Sequence, residues 1–277
     1  MSRLTNAFAA LRDSGRTAFL PYITAGDPCL ATTEKLVAAL EEAGADIVEL
    51  GIPYSDPLAD GPTIQRAAAR ALQAGTRLAD IFTTIERLRI RTDIPLVFLV
   101  YANTVLQYGR EAFLARCASV GVDGVIIPDL PLDERLHLLE YLRSQAVPVD
   151  LIPLVAPTSA QRTAAVAAAG TGFVYCVSSL GVTGVRRDLG DLQGFLQTVR
   201  KASELPLCVG FGVSTPAMAA ALSRQADGVI VGSAIIQELE NSLDGGQEVR
   251  RVKEFASQFR QALDSEASAV AGRPKNG

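Results

Sequence analysis

The sequence predicts a single α/β domain folded as a closed (β/α)8 barrel. Short runs rich in Val, Ile and Leu alternate with longer amphipathic segments, and each run is apolar at successive positions. Continuous apolar runs are typical of parallel strands that are covered on both faces. Eight such units follow one another with short connections, whereas open doubly wound sheets commonly have about five or six strands. A closed barrel is therefore favoured.

The elements follow in order from an N-terminal helix, in which Leu4, Phe8 and Leu11 recur at helical spacing. Between strands, Leu36, Leu40 and Ala43 lie on one helical face. The predicted strands occupy residues 18–24, 47–51, 96–101, 124–128, 149–155, 173–177, 207–210 and 228–231.

A turn motif recurs before three of these strands. It reads AGAD at 43–46, VGVD at 120–123 and QAD at 225–227. Gly44 suits the left-handed position that follows a helix. The motif indicates a repeated unit in which a helix ends, the chain turns tightly and a buried strand begins.

The composition describes one folded domain with a short tail. Of 277 residues, 48% are hydrophobic and 20% are charged, which is ordinary for a globular protein. We predict one barrel domain over residues 1–265 and a polar, flexible tail over 266–277. The net charge of −4 makes nucleic acid an unexpected partner.

The sequence also predicts a cytoplasmic protein without membrane contact. The N-terminus lacks the apolar core of a signal peptide, and no apolar run approaches the ~20 residues that cross a bilayer. The four cysteines are widely spaced without a C-x-x-C pair, as expected in a reducing compartment.

Active sites of such barrels lie at the carboxyl ends of the strands, and Glu49 is a charged residue inside a predicted strand. A buried carboxylate needs a partner or a function, although an outward-facing, salt-bridged Glu49 is the alternative. The proline-broken segment 53–62 that follows is predicted to be a loop over the barrel mouth. It contains Asp56 and Asp60, and Asp60 could instead cap the next helix.

Glycines after the last strands predict a phosphate site. Gly210 and Gly212 follow the seventh strand, Gly232 and Ser233 follow the eighth, and a GVTG segment at 181–184 follows the sixth. Loops after the seventh and eighth strands commonly bind phosphate in barrels, because glycine lets backbone N–H groups approach the anion and a helix N-terminus attracts it.

Residue types that are scarce narrow the chemistry further. The four lysines fall in predicted helices, helix ends or the tail, and His137, the only histidine, falls in the helical run 133–145. A Schiff-base or pyridoxal enzyme needs a lysine in its site, and zinc needs a ligand cluster. With these classes disfavoured, the sequence predicts acid–base chemistry by carboxylates on a phosphorylated substrate.

The segment 48–62, VELGIPYSDPLADGP, resembles the signature of tryptophan synthase α subunits. Other landmarks of that family appear in order, and the resemblance covers nearly the whole chain. They are YITAGDP at 22–28, YAN at 101–103, PDLP at 128–131, GVTG at 181–184 and GFG at 210–212.

The resemblance implies a (β/α)8 TIM barrel that cleaves indole-3-glycerol phosphate into indole and glyceraldehyde 3-phosphate. It places the catalytic pair on Glu49 and Asp60. The phosphate ligands implied are Gly184, Gly212, Gly232 and Ser233. The indole pocket would be lined by Tyr22, Tyr175 and Phe211, with Ile126 or Ile127 as a looser assignment, and Thr183 would take part in loop gating.

The resemblance also implies a partner, a tryptophan synthase β subunit that receives indole, as an α2β2 heterotetramer. This chain would need no cofactor, since pyridoxal phosphate belongs to the β subunit. The loop 53–60 and the sixth loop, about 178–189, are the expected contact and gating segments.

Three alternatives remain open at the level of sequence. A free-standing indole-3-glycerol phosphate lyase could share every motif. Indole-3-glycerol phosphate synthase and phosphoribosylanthranilate isomerase are also phosphate-binding barrels, but the synthase is expected to carry a lysine at a strand end. A non-catalytic phosphate-binding subunit would have no need of both Glu49 and Asp60.

Overall fold

The structure, a computed structural model, describes residues 2–157, 160–177, 189–210 and 212–271. Within these ranges the strands are β1 (Ala18–Thr24), β2 (Val48–Gly51), β3 (Leu96–Leu99), β4 (Gly124–Ile126), β5 (Asp150–Ile152), β6 (Leu154–Val155), β7 (Val174–Val177), β8 (Leu207–Gly210) and β9 (Gly228–Val231).

Helices alternate with these strands along the chain. They are α1 (Arg3–Asp13), α2 (Leu30–Glu42), α3 (Pro62–Gln73), α4 (Leu78–Arg89), α5 (Ala102–Tyr108), α6 (Arg110–Val120), α7 (Leu132–Ser144), α8 (Ala160–Ala168), α9 (Leu189–Ala202), α10 (Pro216–Ser223), α11 (Ser233–Glu240) and α12 (Glu248–Ala271). In the part of the chain that the structure describes, no helix is both long and apolar enough to cross a membrane.

The strands form one parallel sheet in the order β5-β4-β3-β2-β1-β9-β8-β7-β6. β5 pairs with β4 and β6 pairs with β7, and only Pro153 separates β5 from β6. The sheet therefore closes into a barrel through this one segment, and the predicted (β/α)8 fold is confirmed. The predicted fifth strand, 149–155, is divided in two because proline lacks the N–H that a continuous ladder requires.

Helix α1 closes the amino end of the barrel. Leu4, Phe8 and Leu11 belong to the same buried cluster as inward-facing strand residues, and the rings of Phe8 and Phe173 lie 5.7 Å apart. A second, larger cluster lies between the strands and the surrounding helices. This arrangement leaves the carboxyl ends of the strands as the mouth at which a substrate can enter.

The repeated turn motif has a structural explanation in three aspartates that precede strands. These are Asp46, Asp123 and Asp227. The Oδ2 atom of each accepts the backbone N–H of the first or second residue of the neighbouring strand: Phe19 at 2.8 Å, Leu96 at 2.8 Å and Leu207 at 2.7 Å. Each carboxylate also pairs with an arginine, at 3.0 Å for Arg260, 2.6 Å for Arg89 and 3.1 Å for Arg200. The motif therefore joins adjacent strands at the amino end of the barrel.

We expect Asp123→Ala to lower the free energy of unfolding by about 3–5 kcal/mol, because it leaves the half-buried Arg89 without its carboxylate. The Leu96 N–H also loses its acceptor. Urea unfolding measures the effect. The control is Asp13→Ala, whose ion pair with Arg12 is exposed and should contribute less than about 1 kcal/mol. Equal losses in the two variants would contradict this explanation of the motif.

The last helix extends beyond the predicted end of the domain. The sequence predicts a tail from residue 266, but α12 continues to Ala271. Residues 272–277 lie outside the described residues. The helix packs against α2, α10 and α11, so this segment belongs to the outer layer of the barrel up to at least residue 267, where side chains are described.

Candidate active site

Glu49 lies in β2 with its side chain inside the barrel. Val48 and Leu50 pack toward the surrounding helices, and the alternation of a strand turns Glu49 to the opposite face. Glu49 is 1% exposed, and its Oε2 atom has no hydrogen-bond partner among the described residues. Burial, with a smaller contribution from the charge of Asp60, raises the pKa of Glu49 to about 8. Near neutral pH, Glu49 is therefore protonated and can donate a proton to a ligand.

Asp60 lies in the loop after β2, where the alternative role was that of a helix cap. Helix α3 has Gly61 as its N-cap and no side-chain capping bond, so Asp60 does not cap it. The Tyr101 hydroxyl holds this loop instead, since it accepts the Ala59 N–H at 3.1 Å. Burial raises the pKa of Asp60, and the nearby Tyr101 hydroxyl opposes that rise.

Two buried tyrosines flank Glu49. Tyr22 lies beside it in register on β1, and Tyr175 projects from β7. The strand-end glycines provide the space for both rings, because a Cβ at Gly51 would lie 2.0 Å from the Tyr22 hydroxyl and one at Gly210 would lie 2.6 Å from that of Tyr175. Burial raises the pKa of both phenols. The two tyrosines are therefore neutral aromatic walls near neutral pH.

We expect Gly51→Ala to displace the Tyr22 ring and to lower kcat/KM for indole-3-glycerol phosphate, the substrate that the sequence resemblance implies, by about tenfold, since small displacements in a site are costly. Steady-state kinetics on the folded variant measures the effect. Gly194→Ala in α9 is the matched control, because a Cβ there meets nothing within 4 Å. An unchanged kcat/KM for Gly51→Ala would show that the Tyr22 ring position does not matter to turnover.

Glycine-rich backbone after β8 and β9 forms the part of the site suited to an anion. Gly212 has a φ of +77°, which favours glycine. Gly232 is the N-cap of α11 and Ser233 is its first residue. A helix N-terminus carries free N–H groups and the positive end of the helix dipole. With the Ser233 hydroxyl beside it, this backbone has the donors that bind a phosphate group.

The carboxylates, the tyrosines and the glycine-rich backbone line one cavity of about 500 Å³, a size typical of small-molecule sites, which span about 300–1,000 Å³. The predicted residues in its wall are Tyr22, Glu49, Asp60, Tyr175, Gly212, Gly232 and Ser233. The other lining residues are Leu58, Ala59, Gly61, Pro62, Thr63, Ile64, Leu99 and Val213. The structure therefore brings the predicted acid–base groups and the predicted phosphate donors into reach of one ligand.

Some predicted site residues cannot be placed in this cavity. Thr183, Gly184 and Phe211 lie outside the described residues, as does the sixth loop over 178–188. Of the looser candidates, Ile126 packs in the barrel interior and Ile127 packs toward the helices. Leu99, at the end of β3, is the aliphatic strand residue in the cavity wall.

Tyr101 and Leu99 have no role in the sequence-based prediction of the site. Tyr101 belongs to the YAN segment. Its position just past a buried strand could have identified it, because the carboxyl ends of the strands form the barrel mouth. Its ring stacks on that of Tyr54, with centroids 5.1 Å apart. Burial raises the pKa of Tyr101, so its hydroxyl stays protonated near neutral pH.

Among the described residues, the ionisable groups that line the cavity are two carboxyls and two phenols. Over residues 2–157, 160–177, 189–210 and 212–271, no cluster of three His, Cys, Asp or Glu side chains could hold a metal ion. Lys35, Lys201 and Lys253 lie in helices α2, α9 and α12, and Lys275 lies outside the described residues.

Comparison with known proteins decides the family. A family model described as tryptophan synthase alpha chain matches residues 8–264. The chain belongs to the tryptophan synthase α chain family. A relative from Alkaliphilus metalliredigens, named tryptophan synthase alpha chain, is 54% identical over 256 residues, which cover 92% of this chain and 96% of the relative. One of the same name from Thermoanaerobacter sp. is 47% identical over 264 residues, covering 95% of this chain and 100% of the relative.

A solved structure agrees with this membership. The crystal structure of tryptophan synthase alpha chain from Legionella pneumophila superposes with a TM-score of 0.86 at 34% identity, and the match covers 96% of this chain and 98% of that one. As a tryptophan synthase α chain, the protein is a carbon–carbon lyase of tryptophan biosynthesis. The predictions of fold, family and enzyme class are confirmed, and nothing in the comparisons favours a free-standing lyase. The roles of individual residues stay predictions.

Proposed function

We propose that Glu49 and Asp60 together perform the retro-aldol cleavage of indole-3-glycerol phosphate in this cavity. The observation that carries the proposal is a fully buried glutamate, whose pKa burial raises to about 8, in the same 500 Å³ cavity as a helix N-terminus suited to phosphate. The bond to be broken joins indole C3 to the first carbon of the glycerol chain, which bears a hydroxyl. The products are indole and glyceraldehyde 3-phosphate.

Glu49 first acts as the acid. The bond electrons can flow into the indole ring only when C3 carries a proton, because protonation makes the ring an iminium-like electron sink. The raised pKa of Glu49 keeps this proton available, and mounting on a strand holds the carboxyl in place. The resulting Glu49 carboxylate then accepts the proton of the substrate hydroxyl on the carbon attached to indole C3, as the carbon–carbon bond breaks. Glu49 is protonated again at the end, so protons balance over the cycle.

Asp60 stabilises the protonated ring. Its carboxylate accepts a hydrogen bond from the indole N–H, which becomes more positive when C3 is protonated, so the interaction is strongest near the transition state. The nearby Tyr101 hydroxyl opposes the rise in the pKa of Asp60 and so favours the ionised form. The charge of Asp60 in turn raises the pKa of Glu49, which favours the protonated form that the first step requires.

The phosphate and the indole are held by different walls. Gly212, Gly232 and Ser233 supply backbone N–H groups and a hydroxyl to the phosphate, and we include Gly184 in this set on the family resemblance. Tyr22 and Tyr175 enclose the indole ring. Indole has an apolar body and one N–H donor, which matches an aromatic wall with Asp60 at its edge.

The proposal predicts a bell-shaped pH dependence of kcat/KM. As the pH rises through about 8, Glu49 loses the proton that it must deliver, so the rate falls. At the acid end the rate falls as Asp60 gains a proton, at a pKa raised above its ordinary value. Initial rates of cleavage between about pH 4 and 10 measure both limbs. A rate that is constant from pH 7 to 10 would contradict Glu49 as the acid.

The direct test of the function is to add the purified chain to indole-3-glycerol phosphate and to detect free indole and glyceraldehyde 3-phosphate in equal amounts. Release of both products supports the proposal. Phosphate binding without any cleavage, in the presence or absence of a β subunit, would contradict it.

We further propose that the chain works in the cytoplasm with a tryptophan synthase β subunit, which holds pyridoxal phosphate and uses the indole. The loop over 53–60 is the proposed contact segment, since its Leu58 side chain is 85% exposed while the loop's end carries Asp60. A partner seated on this loop would order it and thereby change the rate. Size-exclusion chromatography and cleavage rates with and without the β subunit test this, and an unchanged rate in a formed complex would contradict coupling.

A further inference from the structure

Arg70 is the centre of an ion-pair network behind the cavity wall. Its Nε atom donates to Oδ1 of Asp27 and its Nη2 atom donates to Oδ2, both at 2.8 Å, and its Nη1 atom donates to Oε1 of Glu240 at 2.7 Å. Asp27 is fully buried. Arg66 adds two bonds to the same Glu240 carboxylate, at 2.9 and 2.7 Å. One guanidinium thus uses three nitrogens to join two carboxylates from different parts of the barrel.

The three connected segments each lead into a different wall of the cavity. Arg70 lies on α3, about 12 Å along the helix from its start at Pro62, and Asp60 immediately precedes the Gly61 N-cap. Glu240 ends α11, whose first residue is Ser233 in the anion site. Asp27 follows β1, the strand that carries Tyr22. Arg70 therefore connects the proposed indole end of the site to the proposed phosphate end.

The geometry of this network is specific to arginine. A planar guanidinium can form a fork with one carboxylate and still direct a third N–H elsewhere, whereas a lysine ammonium is a point charge on a flexible stem. Several other ion pairs that join helices are more exposed; the Arg251–Glu238 pair, for example, links α12 to α11 with the Arg251 side chain 47% exposed. The Arg70 side chain is 23% exposed and that of Asp27 is 0% exposed. A partly buried fork of this kind fixes the relative position of its elements.

We propose that Arg70 is a positioning residue that sets the separation between Asp60 and the phosphate-binding start of α11. This inference rests on the proposed function of the cavity. Arg70 is not among the residues that line the cavity, but a ligand that must reach both halves depends on the separation. Loss of the fork therefore weakens ligands that span the cavity and leaves ligands that occupy one end nearly unaffected.

The test compares three inhibitors of cleavage in wild type and in Arg70→Lys, which keeps the charge but loses the fork. The spanning inhibitor carries indole and phosphate joined by a saturated three-carbon chain. The half-site inhibitors are indole and inorganic phosphate. We expect the spanning inhibitor to bind about tenfold more weakly to Arg70→Lys, with kcat reduced by about tenfold, since misplacement of about 1 Å can cost more than this. The inhibition constants for indole and for phosphate should change less than about twofold.

Arg251→Lys is the matched control, because it alters an ion pair of the same helix α11 that does not reach α3; all three inhibition constants should stay as in wild type. Equal weakening of all three inhibitors by Arg70→Lys, or no weakening of the spanning one, would overturn the inference. If Arg70→Lys does not fold, Glu240→Gln, which keeps the fork between Arg70 and Asp27 but weakens the bonds from α3 to α11, gives the same comparison. Failure of wild type to release indole would count against the proposed function instead.

Discussion

Replacing Glu49 with glutamine is expected to lower the rate of indole release by about 10³-fold or more, because one group that serves as both acid and base contributes at least the 10²–10⁴ of a single proton transfer. Glutamine keeps the shape of the side chain but has no acidic proton to deliver to indole C3. Fixed-time indole assays over hours measure the residual rate. The inhibitor that spans indole and phosphate should still bind within about threefold of wild type, because the anion site is untouched.

The same substitution is expected to change stability in a pH-dependent way. Glu49 has a folded-state pKa of about 8 against an ordinary value of 4.5, so the folded state binds this proton more tightly than the unfolded state. Wild type therefore loses stability as the pH rises from 4.5, and the loss is complete above 8. Glu49→Gln has no such loss. Its advantage in urea unfolding should grow to roughly a few kcal/mol at pH 9, because each tenfold difference in proton affinity between the two states is worth about 1.4 kcal/mol.

Two results would remove Glu49 from the mechanism. One is turnover by Glu49→Gln within tenfold of wild type. The other is loss of binding of the spanning inhibitor in parallel with loss of rate, since that would assign to Glu49 a role in binding rather than in proton transfer. A difference in free energy of unfolding between the two proteins that is the same at pH 5 and at pH 9 would contradict the raised pKa.

Asp60→Asn is expected to lower kcat by about 10²-fold, in the range found when one transition-state hydrogen bond is removed. The amide oxygen can still accept the indole N–H, but it lacks the negative charge that the protonated ring requires. Measurable activity should remain because Glu49 still delivers its proton. The alkaline limb of the pH profile should also move to lower pH, since the charge of Asp60 contributes to the raised pKa of Glu49.

The control for Asp60 is Asp56→Asn, measured on the isolated chain. Asp56 lies in the same loop with an exposed side chain bonded to Ser55, and its rate should stay within about twofold of wild type, as for a solvated charge. Equal rates for Asp60→Asn and wild type, or an alkaline limb at the same pH, would show that the two carboxyls are not coupled as proposed.

The barrel could be predicted from the sequence because parallel strands covered on both faces give an unmistakable apolar pattern. The strand ends were less predictable. β3 stops at Leu99 and β4 at Ile126, two residues before the predicted ends, because apolar character continues past the point where the chain leaves the ladder. The break at Pro153 follows from chemistry that was visible in the sequence, since proline cannot donate to a strand neighbour.

The recurrent aspartate before the strands shows what a pattern alone leaves open. The sequence revealed the repeat and its turn, but the acceptor role toward Phe19, Leu96 and Leu207 depends on which strands become neighbours. The arginine partners are equally distant in sequence: Arg260 reaches Asp46 across 214 positions. Such contacts are decided by closure of the barrel, which no local pattern encodes.

The candidate site was predictable where residue chemistry conflicts with its surroundings. A carboxylate within an apolar strand and glycines at successive strand ends both signalled the cavity, and the resemblance to a known family assigned roles to them. Tyr101 and the Arg70 network were missed because tyrosine beside a strand and arginine on a helix are ordinary there. Their importance arises from contacts with Asp60 and Asp27 that only the folded chain creates.

The most direct test of the proposed mechanism is a crystal structure of Glu49→Gln with uncleaved indole-3-glycerol phosphate. We expect the phosphate on the backbone N–H groups at Gly212, Gly232 and Ser233, the indole N–H within hydrogen-bond distance of Asp60, and the residue 49 amide beside indole C3. Substrate bound with its phosphate at any other part of the barrel, or with its indole ring out of reach of residue 49, would contradict the mechanism.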